Sequence, residues 1–67
     1  MTPEKLTKMA NQIAAFFNTQ PREDAAEKTA AHLMDFWSPE MRSALKAHAE
    51  ADGHGLDPAA RDAAHKL

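Results

Sequence analysis

Three times in this chain a capping residue is followed at once by proline: Thr2-Pro3, Ser38-Pro39 and Asp57-Pro58. A Thr, Ser or Asp side chain can accept a hydrogen bond from the free N–H groups of a helix's first turn. Proline suits the first helical position because the N–H it lacks would be unpaired there anyway. The rest of the composition leaves little room for strands. Val and Tyr are absent, Ile13 is the single isoleucine, and Ala, Glu, Lys, Met and Leu dominate, all residues that favour helix over sheet. The reading is all-α: a small bundle or splayed arrangement of three helices, plus a short, weak C-terminal helix.

The periodicity places these helices. Leu6, Met9, Ile13 and Phe16 or Phe17 recur at helical spacing, predicting a first helix over Pro3–Phe17 with one apolar stripe. Asn18-Thr19-Gln20-Pro21 ends it, because the residue before a proline is pushed out of the helical region. A second helix is predicted over Arg22–Phe36, with Glu23 and Asp24 in its first turn facing the positive helix N-terminus. A third runs over Pro39–Ala51, carrying Met41, Leu45 and His48 on one face, and Gly53 follows as a left-handed cap. After Asp57-Pro58 the only apolar face is Ala60, Ala63, Ala64 and Leu67. Residues 1–53 are therefore read as a three-helix domain. Residues 54–67 are read as a C-terminal tail whose short helix a partner orders.

A thin core bounds the function. Sixty-seven residues allow one marginal domain, since a chain this short buries only about 60% of the surface its unfolded form exposes. Fifteen alanines make up much of the apolar content, leaving thirteen larger apolar side chains after Met1. With no cysteine there is no disulfide staple and no Cys-based zinc site. A net charge of −2 speaks against nucleic acid, whose phosphates require a basic face. No apolar run is long enough to span a membrane. Met1-Thr2-Pro3-Glu4-Lys5 lacks the charged start and apolar middle of a secretory signal, which makes the cytoplasm the expected location.

Chemistry-bearing patterns are missing. His32, His48, His54 and His65 never pair at the three- or four-residue spacing that puts two ligands on one helix face. They read as surface or capping histidines. Asp52-Gly53-His54-Gly55 lacks the further acidic positions of a calcium loop. Carboxylates alternate with lysines as on a solvated helix face, and Ser38 is already explained as a cap. The chain reads as no enzyme, with no catalytic, cofactor or metal residues of its own. Asn11 and Gln12, two mid-helix amides, read as facing water, with a partner's backbone as the alternative.

Aromatic placement carries the functional signal. Two of the four aromatics, Phe36 and Trp37, directly precede Ser38-Pro39-Glu40-Met41-Arg42, and the other two are the adjacent pair Phe16-Phe17. Neighbours on a helix point about 100° apart, so one member of each pair can face the core while the other faces elsewhere. Trp, Met and Arg are also enriched in interface cores. Phe16, Phe17, Phe36, Trp37, Met41 and Arg42 are therefore the candidate partner-binding residues. On that reading Trp37→Ala lowers complex recovery far more than helicity.

The same segments carry a resemblance. Glu4-Lys5-Leu6, Met9-Ala10-Asn11-Gln12-Ile13-Ala14, Phe16-Phe17, Gln20-Pro21, Ala31-His32-Leu33, Phe36-Trp37-Ser38-Pro39-Glu40-Met41-Arg42, Leu45 and Gly55-Leu56-Asp57-Pro58 follow one another in order. Together they resemble the delta subunit of soluble NAD-dependent formate dehydrogenase, a molybdenum- or tungsten-containing enzyme. The resemblance implies a non-catalytic accessory subunit that binds the catalytic alpha subunit and supports assembly, cofactor loading or stability of the complex. It also implies that the other subunits carry the cofactors. Alpha would hold bis-molybdopterin guanine dinucleotide and iron–sulfur clusters, while beta and gamma would hold FMN and further clusters leading to NAD. The alternative is a transient maturation chaperone for molybdenum cofactor insertion, absent from the finished enzyme.

Overall fold

A computed structural model of the chain describes residues 2–19 and 24–67, and the described elements are four helices with no strand. Helix α1 spans Pro3–Asn18, α2 Ala25–Phe36, α3 Pro39–Ala51 and α4 Pro58–His65. The all-α expectation holds, with three main helices and a short fourth. No described helix is long and apolar enough to cross a membrane.

The caps work as the sequence suggests at two of the three proline starts. The Thr2 hydroxyl accepts from the Lys5 N–H at 3.2 Å, and the Ser38 hydroxyl accepts from the Met41 N–H at 3.2 Å. Asp57 differs: its side chain makes no capping bond, and α4 starts on Pro58 alone. Helix α2 begins later than expected. Asp24 lies before it, not inside its first turn, and its carboxylate accepts from the Glu27 N–H at 3.1 Å. Arg22 and Glu23, expected in that first turn, and Gln20-Pro21, expected to end α1, lie outside the described residues.

Gly53 closes α3 with φ 66° and donates its N–H to the His48 carbonyl at 2.8 Å. A Cβ at this position would also meet Arg61 Nε at 3.1 Å. Gly53→Ala therefore combines left-handed backbone strain with crowding, a loss of about 1–2 kcal/mol. In a domain of this size that lowers the thermal midpoint by about 5–15 °C, which calorimetry can read directly.

The core is built from small groups. Leu6, Ala10 and Ala14 of α1, Leu33 of α2, Leu45 and Ala49 of α3, and Ala60 and Ala64 of α4 are all at or below 2% exposed, and Trp37 joins them at the α2–α3 corner. The hydroxyls of Thr7 and Thr29 are buried there without a hydrogen-bond partner. Helix α4 touches all three other helices and packs most extensively on α2, whereas α2 and α3 hardly meet. The arrangement is thus splayed, with α4 wedged into the opening. Alanine makes this possible, because helix axes approach as closely as the side chains between them allow. A radius of gyration of 10.5 Å matches the value of about 11 Å for a compact chain of this length.

Candidate interaction surface

The two aromatic pairs diverge as adjacent helical residues must. Phe36 is 74% exposed and its neighbour Trp37 only 6%; Phe16 is 61% exposed, while Phe17 is half-buried. The exposed members do not stand alone. The Phe16 and Phe17 rings lie 5.2 Å apart, nearly perpendicular at 75°, and Phe17 sits edge-on to His32 at 6.4 Å. His32 continues onto Phe36 at 4.6 Å. These separations fall in or near the range in which ring quadrupoles attract. The result is one aromatic strip running from the end of α1 across to the end of α2. Beside it Gln12, Ile13, Phe16, Phe17 and His32 surround an open hollow of about 290 Å³.

The other three candidate residues build the α2–α3 corner. Trp37 enters the core and its N–H donates to the Leu33 carbonyl at 3.0 Å, completing α2. Ser38 starts α3, and Met41 leans half-buried against the core. Arg42 reaches back over the corner: its Nη1 donates to the carbonyl of Trp37 and to that of Met34, the latter at 3.3 Å. A cation on the last carbonyls of α2 both fills unpaired acceptors and complements the negative helix end. The run Phe-Trp-Ser-Pro-Glu-Met-Arg is therefore an interlocked joint whose single outward-facing aromatic is Phe36. An effect of Trp37→Ala confined to partner binding does not follow from this placement, since the indole is part of the chain's own core.

Asn11 also departs from its sequence reading. Rather than facing water, its Nδ2 donates to the Gly55 carbonyl at 2.8 Å and its Oδ1 accepts from the Asp57 N–H at 2.9 Å. One amide thus pins the turn before α4 to α1. A second pin comes from α3, where His48 Nε2 donates to the His54 carbonyl at 2.9 Å. Lys46 Nζ donates to the Leu67 carbonyl at 2.8 Å and holds the far end. Gln12, the neighbouring amide, is exposed at the rim of the hollow. Among the described residues no three His, Asp or Glu side chains come together as a metal site.

Sequence reasoning passed over two members of the exposed surface. His32 links the strip's two halves, and its spacing of four from Phe36 places both on one side of α2. Met34 is 53% exposed but points about 160° away around the same helix.

A family model for NADH-dependent formate dehydrogenase delta subunit FdsD matches residues 5–64. The chain belongs to the FdsD family. No curated protein and no solved structure shows a match. The matched residues include the strip, the α2–α3 joint, the Asn11 pin and nearly all of α4.

Proposed function

We propose that this chain is a non-catalytic accessory subunit of a soluble NAD-dependent formate dehydrogenase. It binds the catalytic alpha subunit and supports assembly, cofactor loading or stability of the active complex. The observation that carries this reading is the aromatic strip. Phe16 and Phe36 are the two most exposed large apolar side chains described, yet they are joined through Phe17 and His32 into one surface. Isolated exposed apolar residues are ordinary, whereas a contiguous patch marks an interaction site.

The cofactors of such a complex belong to the other subunits on this reading. Iron–sulfur clusters take cysteine thiolates, and the chain has no cysteine to offer. Bis-molybdopterin guanine dinucleotide falls to alpha, and FMN with further clusters leading to NAD falls to beta and gamma. Docking then runs through Phe16, Phe17 and Phe36. Trp37, Met41 and Arg42 contribute by holding the joint that presents Phe36.

The test is co-expression of the tagged chain with a formate dehydrogenase operon, followed by pull-down and formate-dependent NAD reduction. In the double variant Phe16→Ser/Phe36→Ser, recovery of the complex falls by about tenfold or more, as expected when two aromatic anchors of roughly 1 kcal/mol or more each are removed. Helicity of the free chain stays unchanged because both rings are exposed. Undiminished recovery would rule the strip out as the docking face. Recovery of wild type with cofactor-free alpha only would replace a permanent subunit by a maturation chaperone.

A further inference from the structure

Asp52 is the one aspartate of this chain followed by glycine, and that dipeptide has a reaction of its own. The backbone nitrogen after an aspartate can attack its Cγ, most readily when a glycine puts no side chain in the way. The new N–Cγ bond closes a five-membered imide, and the carboxyl O–H departs with the N–H proton as water. A second water then opens the ring. Attack on the Cγ carbonyl restores aspartate, whereas attack on the main-chain carbonyl leaves isoaspartate, with the backbone routed through Cβ and Cγ. One water leaves and one returns, so no other reactant is needed.

The fold keeps the two reacting groups apart. Asp52 is exposed, but Gly53 is buried. The Gly53 N–H is spent on the His48 carbonyl at 2.8 Å, and Arg61 of α4 lies across the glycine, its Nε 3.1 Å from where a Cβ would stand. Ring closure further requires the Gly53 nitrogen to eclipse Cβ about the Asp52 Cα–C bond. Substituents on a tetrahedral Cα project about 120° apart, so the observed ψ of −33° leaves the nitrogen about 90° from that arrangement. Turning ψ to reach it withdraws the N–H from His48. The chain beyond Gly53 is fixed as well, by Asn11 on Gly55 and Asp57 and by His48 on the His54 carbonyl. Rotation at Asp52 therefore waits for these pins to let go.

We propose that Asp52-Gly53 is a latent isomerisation site, which the pinned turn and α4 keep closed and which converts to isoaspartate in chains whose turn opens. The product adds one atom to the main chain between His48 and the turn. Gly53 then loses its register with the His48 carbonyl, and the left-handed cap that ends α3 goes with it. Opening permits the reaction, and its product opposes reclosure. The modification thus marks covalently those chains that fail to hold α4 in place.

The test follows isoaspartate at residue 52 of the full chain at neutral pH, by electron-transfer fragmentation of digested samples, beside hydrogen exchange at the Gly53 amide. Both events require the N–H to leave His48, so both rates scale with the open fraction of the turn. Folded wild type should isomerise at least about tenfold more slowly than the urea-unfolded chain, a factor reached once the turn is closed about nine-tenths of the time. Asn11→Ala, which removes two pins, and a series of low urea concentrations should raise exchange and isomerisation by the same factor. Asp35 and Asp62, which precede Phe36 and Ala63, are the internal standard, and Asp52→Glu, which would have to close a six-membered ring, is the blank. Equal rates in folded and unfolded chains would overturn the proposal. So would a yield at Asp52 in the unfolded chain no higher than at Asp35 and Asp62. Exchange that rises across the urea series while isomerisation stays flat would show that this turn is not what closes the site, and would overturn it too.

Discussion

Trp37→Ala strongly destabilises the isolated chain, lowering its thermal midpoint by tens of degrees or removing the transition. The indole is 6% exposed and sits in the core with Leu6, Leu33 and Leu45. Replacing a buried aromatic with alanine costs about 3–5 kcal/mol. A domain of this length has about 3–10 kcal/mol of stability in total, so the loss removes between about a third and all of the margin. The damage also spreads, because the carbonyl of Trp37 is one of the two acceptors that fix Arg42 across the joint. Trp37→Phe keeps an aromatic ring at the corner and should retain a cooperative, lowered transition. Circular dichroism during thermal unfolding separates the two variants. Full helicity and an unshifted midpoint in Trp37→Ala would mean that the indole is not part of the working core.

The contrast with Phe36 shows what was legible in the sequence. That one member of each aromatic pair turns outward follows from helical geometry alone, and both pairs obey it. Which member turns outward depends on where the neighbouring helices lie, and no local pattern states that. Helix α3 was readable to the residue because Ser38-Pro39 and Gly53 mark its ends chemically. The start of α2 was not, because Asp24 fits equally well in a first turn or as the cap before it. Asn11 was misread for a related reason: its partners Gly55 and Asp57 stand more than forty residues away in the chain. His32 acquires its place in the strip from Phe17 of another helix, again a tertiary fact. Family resemblance, by contrast, was readable along nearly the whole chain, and residues 5–64 match the FdsD family.

Removing residues 58–67 should have the second large effect. An alanine face looks weak when apolar content is counted by volume, and the sequence reading set this segment apart on that ground. In the structure the segment packs against all three other helices. Ala60, Ala63 and Ala64 are fully buried, and α4 fills the space between α2 and α3, which hardly touch one another. Without α4, the core that Leu33 of α2 and Leu45 and Ala49 of α3 share with Ala60 and Ala64 opens to water. Those helices have 12 and 13 residues, lengths at which isolated helices are marginal in water. A chain ending at Asp57 is therefore expected to lose its cooperative transition and most of its helicity, although only eight helical residues are deleted. The decisive comparison is the thermal melt of the shortened chain, alone and in the co-expressed complex. If the shortened chain melts like the full one, the first three helices form a domain by themselves and the last segment is an appendage that a partner orders. If it is unfolded alone, the alanine wedge is what allows two barely touching helices to share one core.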